Sequence, residues 1–190
     1  ITHLAIFEPE RFDREIAIWD GGQRRGKAWD AFREEHEGKE LVRRQDVDSV
    51  LRLAESIRSH PDVAAHLAQG EPEVTALWTD PATGVECKAR LDWIAATGVI
   101  LDLKTTRDAA SDSFERDAYR LQYHVQAAFY SDAVRALTGA DMPFVIIAAE
   151  NTAPYVVQPY ILTEEALDAG RRLYRQWLHT LVACRKTDNW

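Results

Sequence analysis

The chain has 190 residues, 46% hydrophobic and 28% charged, which is enough apolar mass for one domain with a buried core. No apolar run approaches the length of a membrane span, and two cysteines, Cys87 and Cys184, are too few for a four-thiolate zinc or iron–sulfur centre or a disulfide framework. The net charge of -8 argues against an indiscriminate nucleic-acid coat but permits a local cationic channel, because a ligand responds to the field at its site.

A reducing cytoplasm, bacterial or that of a phage-infected cell, is the expected compartment. No secretory leader is visible, and the sequence opens at Ile1 as though residues preceded it. Residues 1–8 read as the end of a helix closed by Pro9. DGGQRRGK, 20–27, is a glycine-broken basic loop, and a helix follows through AWDAFREEHEG with Gly38 as its stop. Val47, Val50, Leu51, Ala54 and Ile57 predict a helix over 46–59, and a short one runs from Pro61 to about Ala68.

The middle of the chain changes character. EVTALWTD reads as a strand and PATG as its turn. VECKARLDWI alternates, with Val85, Cys87, Ala89, Leu91 and Trp93 on one face and Glu86, Lys88, Arg90 and Asp92 on the other. VILDLKT is the next strand, followed by a long helix from about Ser113 to Leu137. Strands at FVIIAAE and YVVQPYIL precede a helix from about Thr163 to Cys184, with Leu167, Leu173, Trp177 and Leu181 inward. This order predicts an α/β fold with a mixed central sheet flanked by helices. One domain is expected over 1–190: a mostly helical part to residue 70, the sheet and long helix over 71–162, and the last helix over 163–190.

ATG at 96–98 fits a three-residue hairpin loop with Gly98 in the left-handed position. Ala95 then faces Val99, Ile94 faces Ile100, and Asp92 faces Asp102 across the ladder, with Cβ atoms roughly 5 Å apart. Lys104 falls on the same face, while Leu101 and Leu103 point into the core. Opposed like charges destabilise a ladder and raise one carboxylate pKa unless a cation intervenes. A hard divalent ion supplies that charge, and a metal beside an ammonium suits phosphodiester hydrolysis. The competing reading is a surface ion pair at a sheet edge. On the long helix, Tyr119, Gln122, Gln126 and Tyr130 form one polar-aromatic stripe, which could equally be a satisfied helix–sheet seam.

GVECKARLDWI, ILDLKTT, SFERDAY and YHVQAAFY resemble the RecE-type and phage lambda-type exonucleases of the PD-(D/E)XK nuclease superfamily. HLAIFEPERF, RRGKAWDAF and CRKTDNW extend the resemblance over nearly the whole chain. It implies an αβββαβ core, magnesium-dependent digestion of linear duplex DNA from its 5′ ends to 5′-mononucleotides, and two metal ions per site, with manganese as a substitute. It further implies a ring-shaped homo-oligomer, a trimer first, threaded by duplex DNA, and a RecT/Beta-type annealing protein acting on the exposed 3′ strand. By resemblance, Asp92, Asp102 and the carbonyl of Leu103 are metal ligands, and Lys104 is the catalytic lysine. Gln126 and Tyr130 match the family's helical Gln-x-x-x-Tyr signature, Glu73 an acidic position serving the second metal, and His3 the family's N-terminal histidine, a candidate metal ligand. Leu91-Asp92 stands where the superfamily name expects Pro-Asp, and Asp102 stands where it allows Glu.

In that setting Arg24, Arg25 and Lys27 are expected to hold the 5′-terminal phosphate or nearby backbone. Arg90 is expected beside Asp92 on the scissile strand, and Arg107 is a further DNA contact. An endonuclease of restriction or repair type and a silent DNA-binding module are the competing functions. The Asp92, Asp102 and Lys104 set argues against the second.

Overall fold

Residues 1–190 are described by a computed structural model. Helices α1 (Thr2–Phe7) and α2 (Pro9–Glu15) lead into strand β1 (Ile16–Trp19), followed by α3 (Lys27–Glu35), β2 (Glu40–Arg43), α4 (Arg44–Ser59) and α5 (Pro61–Leu67). Strands β3 (Gly70–Thr79), β4 (Glu86–Ala95) and β5 (Val99–Thr106) come next. They are followed by α6 (Ser111–Arg120), α7 (Tyr123–Thr138), β6 (Phe144–Glu150), β7 (Val157–Ile161) and α8 (Glu164–Thr187). No helix is long and apolar enough to cross a membrane.

The main sheet has the order β3-β4-β5-β6-β7. Only β5 and β6 run parallel. A parallel pair needs a crossover, and α6 with α7 supplies it. The fold is therefore the α/β arrangement with a mixed sheet that the element order predicts.

Two cores lie on opposite faces of this sheet. Leu101, Leu103, Val145 and Ile147 pack with Phe7, Val47 and Ile57 of α1 and α4. Ile100, Phe144 and Ile146 pack with Ala127, Ala128 and Val134 of α7 and with Tyr174 of α8. Burial of both faces explains why β5 and β6 read as nearly continuous apolar runs. It also makes a charged pair inside β5 costly.

Helix α8 lies tight against α7 at Gly170, where a Cβ would sit 2.1 Å from the His124 carbonyl oxygen. Asp132 of α7 clamps the same crossing, accepting from Arg171 Nε at 3.0 Å and from the Tyr174 hydroxyl. Tyr174, rather than Trp177, is the inward aromatic of α8; Trp177 is 47% exposed.

Three expectations change. Pro9 opens α2 instead of closing a helix, because proline at the first helical position lacks only an N–H that would be unpaired anyway. Strands β1 and β2 form a separate parallel pair, Ile16↔Glu40 to Trp19↔Arg43, that no local pattern announced. The predicted long helix is two helices, broken at Leu121 and Gln122, with Gln122 left-handed at φ 58. Tyr119 is therefore on a different helix from Gln126 and Tyr130, and the polar-aromatic stripe is interrupted.

Candidate active site

Strand β4 is irregular at the residue that matters. Its ladder with β3 includes Pro72↔Trp93 and Val74↔Leu91, but Glu73 and Asp92 between them are unpaired. Glu73 has φ 52, the left-handed region that side chains disfavour. Across this step the inward side chains change cores. Ala89 and Leu91 join the α7–α8 core, whereas Trp93 and Ala95 join the α1–α4 core. The uniform alternation expected through Trp93 is thus reversed at Asp92. Trp93 is fixed on its new side by stacking on Phe7 at 5.8 Å and by donating Nε1–H to the His66 carbonyl at 2.9 Å.

The hairpin register is as expected for Ala95↔Val99, Ile94↔Ile100 and Trp93↔Leu101, and Gly98 takes φ 78. The ladder stops there. Asp92 and Asp102 are not a ladder pair, because β4 loses its regular pairing at Asp92. Asp92 Oδ2 instead accepts the Leu103 N–H at 2.8 Å, so a side chain replaces a missing main-chain bond.

Asp102 is 1% exposed, and its Oδ1 has no hydrogen-bond partner. Lys104 Nζ lies 2.5 Å from Oδ2, a charge-assisted contact between ammonium and carboxylate. Burial pushes the Asp102 carboxyl up to about 6, with Lys104 opposing the rise and Asp92 adding to it. On its other side Lys104 meets the face of Tyr123, with Nζ 4.9 Å from the ring centroid.

His3 reaches this cluster from α1, with Nε2 3.1 Å from Asp92 Oδ2. That hydrogen bond raises the imidazole pKa against the opposing effect of burial, and the charges of Asp92, Glu73 and Asp102 assist it. Glu73 is ion-paired to Arg90. Arg90 therefore engages the neighbouring acid rather than Asp92. Gln126 and Tyr130 are half-buried on α7, Tyr130 against the α7–α8 core. Neither hydrogen-bonds Asp92, Asp102 or Lys104.

The basic loop divides into two kinds of residue. Arg24 donates to the Leu41 carbonyl at 2.7 Å and lies 5.5 Å from the Trp29 ring centroid, so it ties the loop to β2 and α3. Arg25, Lys27 and Arg107 are exposed.

Tyr123 is the site residue that sequence reading missed. The left-handed turn at Gln122 resets the helix phase, so no continuous periodicity points Tyr123 at Lys104.

Asp102 and Asp92 offer hard, anionic oxygens, and the buried Asp102 Oδ1, which has no donor, suits a divalent cation. No set of three His, Cys, Asp or Glu side chains lies close enough together to hold a metal alone. A cation here would thus be held by two carboxylates, completed by backbone oxygen and water.

The model of a family described as a PDDEXK-like domain of unknown function (DUF3799) matches residues 1–190. A solved structure of a candidate exonuclease from Eubacterium rectale is similar, with a TM-score of 0.63 at 17% identity. The similarity covers 86% of this chain and 63% of that one. At this identity the likeness speaks to the fold. Among curated proteins no relative of the chain is found.

Proposed function

Because the chain belongs to this PDDEXK-like family, we propose that it is a magnesium-dependent 5′→3′ exonuclease that degrades linear duplex DNA to 5′-mononucleotides and leaves 3′ single-stranded tails. The observation that carries this reading is the buried Asp102 carboxylate, with Oδ1 unpartnered and Oδ2 pressed against Lys104. A folded protein bears the cost of such a group where a cation is to be held. The description of the Eubacterium rectale protein as a candidate exonuclease supports the reaction class.

Asp92, Asp102 and the Leu103 carbonyl would hold one ion, and Glu73 would serve a second. Bound magnesium, or manganese in its place, supplies Lewis acidity for the attacking water and the departing 3′-oxygen. Asp102 orients Lys104, and the Tyr123 ring limits the directions Nζ can take. Lys104 is the group that meets the attacking water and offers positive charge to the developing phosphorane. His3 holds Asp92 from the solvent side, and Arg25 and Lys27 contact phosphate. The reading extends to a ring-shaped homo-oligomer around the duplex and to a RecT/Beta-type annealing protein on the 3′ tail.

The test is incubation with magnesium and either linear or covalently closed duplex. Loss of linear DNA alone, with mononucleotide products, supports the exonuclease. Cutting of closed circles overturns it in favour of an endonuclease, and inertness toward both leaves a DNA-binding module. Lys104→Ala is expected to abolish turnover and spare DNA binding.

A further inference from the structure

A cavity of about 460 Å3 lies on the sheet face that carries Asp102 and Lys104. Two residues connect it to them. Ile146, in the cavity wall, is the ladder partner of Asp102 on β6. Tyr123, also in the wall, puts its ring 4.9 Å from Lys104 Nζ. The cavity is therefore next to the candidate active site, with Tyr123 and Ile146 between them.

Its lining is aromatic. Phe114 and Tyr160 stack at 5.0 Å, closing the floor, and the Tyr160 hydroxyl is occupied by the Ala109 carbonyl at 2.6 Å. At the mouth, Tyr119 and His124 present ring planes parallel to within 3°, with centroids 6.0 Å apart. Tyr119 is 78% exposed, an unusual place for a large ring that its own core does not use. Burial lowers the His124 pKa. Glu115 is the acidic group in the wall.

We propose that this cavity seats an unpaired nucleobase next to the scissile phosphate, with Tyr119 as the stacking platform and Glu115 accepting from the exocyclic amine of the base. The ligand class follows from the DNA-cleaving reading, on which this inference rests. Flat aromatic rings beside a phosphodiester-binding centre match a base and its adjoining phosphate, and stacking accepts any base. Glu115, an acceptor, favours adenine, cytosine or guanine over thymine, which has no exocyclic amine. Its charge also repels phosphate, which keeps the backbone outside the cavity.

The experiment uses the metal-free protein in EDTA, so that binding is read without cleavage. A single-stranded hexamer carrying 2-aminopurine is compared with the same hexamer carrying an abasic site. Base-dependent quenching of 2-aminopurine is expected on binding. Tyr119→Ala should weaken binding of the 2-aminopurine hexamer by about 5- to 100-fold and remove the quenching, while leaving the abasic hexamer unaffected. Tyr119→Trp should restore both, and Glu115→Gln should reduce the preference for adenine over thymine. Equal effects on the two hexamers, or none, would overturn the inference. A change in oligomeric state without loss of base binding would also overturn it, marking the surface as a protein contact. Cleavage is assayed separately with magnesium. Quenching without cleavage supports the base site and removes only the nuclease reading; cleavage without base-dependent binding removes only the base site.

Discussion

Asp92 and Leu103 are joined where β4 and β5 cease to pair: Oδ2 of Asp92 accepts the Leu103 N–H at 2.8 Å. One carboxylate thus completes the sheet and faces the site. Asparagine keeps an acceptor for Leu103 and removes the charge, whereas alanine leaves the N–H without a partner. Asp92→Ala should lose about 1–3 kcal/mol of stability in urea unfolding as well as turnover. Asp92→Asn should keep most of the stability and lose turnover. Equal stability losses in the two variants would show that the hydrogen bond does not support the sheet.

Asp102 carries the opposite kind of effect. Its carboxyl pKa rises from 3.8 to about 6, so the folded protein binds more protons than the unfolded chain between those values. Unfolding free energy therefore falls as pH rises through that window, and the penalty is complete above about 6. At 1.36 kcal/mol per pKa unit it amounts to about 3 kcal/mol. Asn resembles the protonated form. In EDTA at pH 7.5, Asp102→Asn should melt higher than the wild type, by about 6–12 °C. The difference should shrink toward zero by about pH 4. A lower melting temperature at pH 7.5 would mean that the contact with Lys104 outweighs burial.

The acidic pair and the lysine were legible because their signals are local. Period-two alternation and the ATG turn fix Ala95 against Val99 and Ile94 against Ile100, which brings Asp92 near Asp102 although the expected Asp92–Asp102 ladder pair does not form. Three features were not legible, each for a physical reason. His3 meets Asp92 across 89 residues, a relation no window of sequence contains. Leu121 and Gln122 break a helix without glycine or proline, so the usual signs of a break are missing. The reversal at Asp92 preserves a regular burial pattern along β4 while changing the core into which it points, because both sheet faces are apolar.

Tyr123 offers a test of how Lys104 is aimed. A cation over an aromatic face is worth about 0.5–2 kcal/mol, depending on desolvation. Tyr123→Leu should lower kcat by roughly 2- to 30-fold with little change in KM, and Tyr123→Phe should restore it, because phenylalanine keeps the ring face. A KM effect in place of a kcat effect would assign Tyr123 to substrate binding alone.

Gly170 tests the seam that supports α7. An added Cβ would stand 2.1 Å from the His124 carbonyl oxygen, a backbone atom that cannot rotate away. Gly170→Ala gains helix propensity, worth about 1 kcal/mol at most, but must push α8 off α7. Overpacking of this kind costs about 1–3 kcal/mol and should dominate. The variant should melt lower. An unchanged melting temperature would show that the helices separate freely.

The basic loop gives the sharpest separation between structure and binding. Arg24 is held by the Leu41 carbonyl and the Trp29 ring, so its truncation should loosen the loop and lower stability. Arg25 and Lys27 are exposed, and their truncation should leave the melting temperature unchanged. If both neutralise phosphates, each alanine variant should weaken duplex binding and reduce the slope of log affinity against log salt by about 1. The measurement is a salt titration of binding to a 5′-phosphorylated duplex in EDTA. Unchanged slopes for Arg25→Ala and Lys27→Ala would show that the loop faces away from the DNA. A reduced slope for Arg24→Ala alone would mean that this arginine leaves Leu41 when the duplex arrives.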